Sequence, residues 1–131
     1  MALDYGRARI GVALSDENRR ISFPRPFIAA EEFQKLAQLA VSENVELVLL
    51  GLPKNLRGAE GEMAKEVRAF GQRLESETKI AVEYIDERFS TRQARQQLRE
   101  DGTPGRKTRS VVDSLSAQVI LEQYLHDLQN K

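Results

Sequence analysis

Polar and apolar positions along the chain follow two different periods, and these define its elements. Met1–Asp4 is a stub of strand that ends in a carboxylate. In Arg9–Ser15, Ile10, Val12 and Leu14 recur at a spacing of two, which predicts a strand. Asp16-Glu17-Asn18 is turn chemistry, and Ile21–Ile28 reads as a third strand, weakened by Pro24 and Pro26. The three form an antiparallel meander. From Glu31 to Glu43, Phe33, Leu36, Ala37 and Ala40 recur at three and four, so a helix follows. Val45–Leu50 is apolar apart from Glu46, as in a strand buried on both faces. Gly51–Gly58 reads as a loop. Met63, Val67, Phe70 and Leu74 mark a second helix between Glu60 and Glu77, and Ile80–Asp86 is another strand. Ser90, with Gln93 three residues on, caps a helix running to about Asp101. Gly102–Lys107 is rich in helix breakers, and a final helix spans Arg109 to about Leu128.

Three strands, then strands alternating with helices, imply right-handed parallel crossovers. The predicted fold is α/β: a mixed five-stranded sheet, strands 1–3 antiparallel and 4–5 parallel, flanked by helices. At 131 residues, with no repeat or linker, residues 1–131 read as a single domain able to build a core.

Composition narrows the chemistry. The chain has no cysteine, which excludes a disulfide scaffold and a thiolate zinc site and is compatible with a reducing cytoplasm. His126 is the single histidine and reads as a surface residue, so a multi-histidine metal site is excluded and any metal sits on oxygen. No apolar run is long enough to span a membrane, and no basic-then-apolar leader opens the chain. A cytoplasmic location is expected.

Three acidic positions stand out. In sheets with parallel strands, sites form beyond the carboxyl ends of the strands. The first, fourth and fifth strands share that edge, which brings Asp4 together with Asp86 or Glu87; alternation only says that these two point opposite ways. Asp113 lies early in the final helix, on a face with Ala117, Ile120 and Tyr124, where an uncompensated carboxylate is costly. It is either a first-turn aspartate favoured by the helix dipole or a metal ligand. Carboxylates alone suit Mg²⁺ or Mn²⁺, and one or two such ions serve phosphodiester hydrolysis. A glycosidase reading is weaker, because the chain has no Trp and its Tyr and Phe mostly fall on core stripes. Asp4 and Gly6 before a hairpin also suit the phosphate-binding turn of actin-like ATPases, but those need two such domains. In the glycine-bounded loop, Lys54 and Arg57 are placed to meet phosphates and Asn55 to hydrogen-bond them; the Walker spacing is absent. Ser90 and Thr91 are a helix cap or phosphate contacts.

The segments Leu3–Asp16, Gly51–Ala64, Ile85–Ala94 and Gly105–Leu125 together closely resemble the bacterial YqgF family, also called RuvX, the Holliday-junction resolvase and pre-16S rRNA nuclease family. The likeness covers nearly the whole chain, in four ordered motifs. It implies an RNase H-like fold and a metal-dependent phosphodiesterase. The family's opening aspartate falls on Asp4, the glutamate of its D-E-R motif on Glu87 rather than Asp86, and its last aspartate on Asp113. Its G-L-P-x-N loop matches Gly51–Asn55 and its S-T pair Ser90 and Thr91. Family members typically carry several residues before the leucine and aspartate, so a short first strand is expected here. Ser114 and Ser116 stand where alanines are common, a change small enough for close packing to survive.

The resemblance suggests 5′-end processing of pre-16S rRNA in ribosome biogenesis. The alternatives are four-way DNA junction resolution, for which a homodimer is apt, and a nucleic-acid-binding module without catalysis. The balance of 20 basic and 20 acidic side chains excludes a uniformly basic binder. It conceals sorting by segment. Arg88, Arg92, Arg95, Arg99, Arg106, Lys107 and Arg109 face only Glu100 and Asp101 after Glu87, whereas Glu60–Glu83 has six glutamates against four cations. Arg88, Arg106, Lys107 and Arg109 are therefore expected to hold phosphates of a structured nucleic acid, with affinity that falls as salt rises.

Overall fold

The computed structural model describes residues 1–53, 60–86 and 114–130. Its strands are β1 (Ala2–Tyr5), β2 (Arg9–Ser15), β3 (Ser22–Ala29), β4 (Leu47–Leu52) and β5 (Ala81–Asp86). Its helices among the described residues are α1 (Phe33–Ser42), α2 (Glu62–Thr78) and α3 (Leu115–Gln129). The strands form one sheet in the order β3-β2-β1-β4-β5. β1 pairs antiparallel with β2, and β2 with β3, while β1, β4 and β5 run parallel. The mixed five-stranded sheet expected from the sequence is the sheet that forms.

Its two faces are covered separately. Leu3, Ile10, Val12, Val48 and Leu50 pack with Phe33, Leu36 and Ala40 of α1 and with Val67 and Leu74 of α2. Ala2, Ala13 and Leu49 pack on the other face with Ala117, Ile120, Leu121 and Leu125 of α3. Successive β4 residues therefore enter opposite cores, which is why this strand reads as an unbroken apolar run. All four residues of the α1 stripe are buried as expected. On α2 the stripe is rotated: Ala64, Val67, Gly71 and Leu74 are buried, while Met63 and Phe70 pack at its margin. The small residues face the sheet because the helix approaches it closely, with Gly71 against Tyr84 and Leu50.

Two boundaries at the Asp4 edge differ from expectation. β4 continues through Gly51 and Leu52, read from the sequence as loop, because they pair with Ile85 and Asp86 of β5. The first strand, short as expected, includes Tyr5, which pairs with Ile10. The expected helix 90–101, the loop 102–107, and the start of the last helix at 109–113 lie outside the described residues.

The prolines of β3 shape the sheet edge. Val12 lies opposite Arg25, but Ile10 lies opposite Ile28, so β3 holds one extra residue and Pro26 and Phe27 together face Gly11. This is a β-bulge on an edge strand, where a proline without an N–H is tolerated. At the bulge the buried Ser114 hydroxyl bridges the two strands. It accepts the Val12 N–H at 2.9 Å and donates to the Arg25 carbonyl. Ser114 is fully buried and immediately precedes α3, so this bridge fixes where the helix begins on the sheet. Replacing Ser114 by Ala strands a buried donor and acceptor. Urea unfolding is expected to show a loss of about 1–3 kcal/mol with an unchanged m-value.

Candidate active site

Asp4 is the one expected metal ligand among the described residues. It lies inside the β1–β2 ladder opposite Gly11 and is only 8% exposed. Alternation places it on the face of Ala2, the α3 face, while Leu3 and Tyr5 turn to the other core. Leu3 is level with Leu50, so Asp4 is level with Gly51, which pairs with Ile85. Ile85 also packs on the α3 face. The carboxylate thus stands at the common carboxyl end of three parallel strands.

The hairpin that carries Asp4 is held closed at close quarters. A Cβ on Gly6 would lie 2.6 Å from the Arg9 carbonyl oxygen, a backbone atom with little room to retreat. The following Arg7 reaches across to α2, where its Nε meets Glu66 at 3.0 Å, and this bond raises the guanidinium pKa further. Exposed pairs of this kind contribute little stability singly, about 0–1 kcal/mol, but this one joins the turn to a helix. On α2, Arg68 forms a two-pronged pair with Glu60 at 2.7 and 2.8 Å and lies over the Tyr84 ring, whose own pKa is raised, chiefly by burial. Glu62 pairs with Lys65 and Glu77 with Arg73. Much of the acidic segment seen in the sequence is therefore answered locally.

Other expected site residues border the described part of the fold. Glu87 follows Asp86, the last residue of β5, and Asp113 precedes Ser114. Lys54, Asn55 and Arg57 follow the end of β4. All five lie outside the described residues, as do Arg88, Ser90, Thr91, Arg106, Lys107 and Arg109. Among the described residues no three acids or histidines gather as a metal cluster. His126 is exposed in the last turn of α3, as expected for a surface residue. Among the described residues a cavity of about 360 Å³ opens at the opposite end of the sheet, lined by Leu14, Asp16, Glu43, Glu46 and Tyr124 among others. It is a different place from the Asp4 edge, and volume does not decide between them. Chemistry at a parallel-sheet carboxyl edge favours Asp4.

Ser114 does more than its place among common alanines suggests. Its size preserves close packing as alanine would, but its hydroxyl also joins β2 and β3 to α3. Its partners lie 102 and 89 residues away, so no local pattern could reveal them.

Residues 1–127 match the sequence profile described as RuvX, Holliday junction resolvase. The chain belongs to this family. Similar proteins carry the name "Putative pre-16S rRNA nuclease". The one from Cutibacterium acnes is 39% identical, over 98% of this chain and 82% of its own length. One from an Anaeromyxobacter species is 40% identical, over 95% and 94%. One from Natranaerobius thermophilus is 36% identical, over 100% and 96%. The RuvX family is one of nucleases, hydrolases of phosphodiester bonds with an RNase H-like fold, and the strand order of this sheet agrees with it. Among the described residues no helix is long and apolar enough to cross a membrane.

The close approach at the hairpin gives a direct test. Gly6→Val forces the Arg9 carbonyl aside and is expected to destabilise the protein on the order of 1–3 kcal/mol. Amide exchange should speed up first at Tyr5 and Ile10, whose ladder the hairpin closes.

Proposed function

We propose that this chain is a divalent-metal-dependent nuclease, one domain over its 131 residues, that trims the 5′ end of pre-16S rRNA in the cytoplasm. The observation that carries the reading is the position of Asp4: buried, in register, and at the shared carboxyl edge of β1, β4 and β5. Asp86 ends β5 at that edge, one residue before Glu87. The bridge from Ser114 ties the residue after Asp113 to Val12, next to the Gly11 that faces Asp4. The RNA assignment rests on the names of the curated relatives, which speak of pre-16S rRNA.

The donor chemistry fits the metal. Asp4 offers carboxylate oxygens, the chain lacks thiols, and its single imidazole sits at the far end of α3. Such a set selects a hard ion, Mg²⁺ or Mn²⁺, over zinc. Asp4, Glu87 and Asp113 would hold one or two of them. The chemistry such an ion would supply when bound is activation of water and stabilisation of charge on the leaving oxygen. The protein's own part is positional. The ladder to Gly11 fixes the backbone of Asp4, the α3-side core excludes bulk water behind it, and the Ser114 bridge fixes the start of α3. Lys54, Asn55, Arg57, Arg88, Ser90, Thr91, Arg106, Lys107 and Arg109 are assigned to the phosphates on either side of the scissile one.

The family description gives a second reading, resolution of four-way DNA junctions, which would call for a homodimer. A cleavage assay in Mn²⁺ that compares pre-16S leader RNA, a four-way DNA junction and plain single strands separates the two. Preference for the leader RNA is expected, and preference for the junction would reverse the assignment. Asp4→Asn, Glu87→Gln and Asp113→Asn should each abolish cleavage while leaving the circular dichroism spectrum unchanged, as should chelation of the metal. Undiminished cleavage by any two of these variants defeats the three-acid site.

A further inference from the structure

The hydroxyl of Ser116 is buried and has no hydrogen-bond partner, and among the described residues no other buried side-chain oxygen or nitrogen lacks one. The residue is 1% exposed and lies in the first turn of α3. Comparable hydroxyls in this fold are used. Thr78 donates to the Leu74 carbonyl at 2.7 Å, the usual recourse of a helical hydroxyl. Ser114 bridges two strands. An orphaned buried hydroxyl costs stability, and an alanine would fill the same place without that cost.

The course of α3 places this hydroxyl. The helix departs from Ser114, bonded to Val12, which pairs with Leu3, the neighbour of Asp4. It descends until Leu121, Tyr124 and Leu125 reach the cavity at the far end of the sheet. Helical side chains tilt toward the N-terminus, so that of Ser116 leans back toward the Asp4 edge. Gln118 and Glu122 bond to Ser22 and so mark the flank of α3 that faces β3. Ser116 stands about 200° round the helix from Gln118, on the flank turned toward β1 and β4. Ile120, one turn further on, packs there with Ala2 and Leu49. Ser116 and Asp4 are thus both buried on the α3 side of the sheet, near the same end of it. A hydroxyl left without a partner at that place suits one that arrives with an ion. Mg²⁺ gives up its water reluctantly and keeps several molecules when carboxylates hold it. We infer that Ser116 is a positioning residue of the metal site, its hydroxyl hydrogen-bonding the water shell of a divalent ion held at Asp4. The inference deepens the nuclease reading and rests on its three-acid site.

The test reads metal binding and stability apart from cleavage. Mn²⁺ is titrated into wild type, Ser116→Ala and Asp4→Asn without nucleic acid, and the free ion is followed by its electron paramagnetic resonance signal. Urea unfolding of the same proteins is measured in EDTA and in Mn²⁺. Ser116→Ala is expected to bind Mn²⁺ about 10- to 100-fold more weakly, the range for groups that hydrogen-bond around a metal. Its urea midpoint in EDTA should equal or exceed that of wild type, because the hydroxyl it lacks was unpartnered. Added Mn²⁺ should accordingly raise the midpoint of wild type more than that of Ser116→Ala. Wild-type affinity in Ser116→Ala overturns the inference. So does a lower urea midpoint in EDTA, which would show the hydroxyl already engaged in the metal-free fold. Asp4→Asn is the control for the reading beneath it and should lose Mn²⁺ binding. Wild-type affinity in Asp4→Asn defeats the three-acid site and this inference with it. Lost affinity in Asp4→Asn with none lost in Ser116→Ala defeats the role of Ser116 alone.

Discussion

A hydroxyl shared between Val12 and Arg25 holds this fold together at its most irregular point. Pro26 has no N–H to give, and β3 carries one residue too many opposite Gly11. Buried backbone groups must nevertheless be satisfied. Ser114 supplies both halves of the missing exchange, accepting from Val12 and donating to Arg25. Because Ser114 is also the residue from which α3 departs, the irregularity of the edge strand becomes the anchor of the helix. The helix then covers Ala2, Ala13 and Leu49 and completes the second core. Asp4 lies on this same face, opposite the glycine beside Val12. A local defect in a ladder thus sets the relation between the sheet edge and the last helix.

The rest of the architecture keeps that edge rigid. β1 is only four residues long, yet it is paired on both sides, to β2 and to β4. The turn after it is closed at Gly6 and tied through Arg7 to Glu66 on α2. Charge is distributed to match. The glutamates of α2 are largely paired with neighbouring cations, whereas Arg25 on β3 remains exposed on the side of the bulge. A chain of zero net charge can therefore still present a locally basic surface to a polyanion.

Much of this was legible in the chain. Period-two alternation in Arg9–Ser15 and the α1 stripe located their elements well, because each buries a single face against one neighbour. The apolar run in β4 announced a strand with helices on both sides. The buried stripe of α2 is rotated slightly from the one its apolar residues predict, since Ala64 and Gly71 carry little hydrophobic signal although their size allows the close approach. Gly51 and Leu52 read as loop because their strand character comes from β5, a partner some thirty residues away. Of the candidate site, Asp4 was readable from its place at a strand end. The Ser114 bridge was not, as it depends on a bulge that only the paired strands define.

On the proposed reading, metal binds at the Asp4 edge and not in the cavity at the other end of the sheet, whose lining includes Asp16, Glu17, Glu43 and Glu46. Titrating ¹⁵N-labelled protein with substoichiometric Mn²⁺ and following paramagnetic broadening reads this directly. The amides of Asp4, Tyr5, Gly11 and Leu52 should vanish first, with those of Asp16 and Glu43 persisting. Broadening that begins at Asp16 and Glu43, with Asp4 and Gly11 unaffected, would place the metal at the cavity instead.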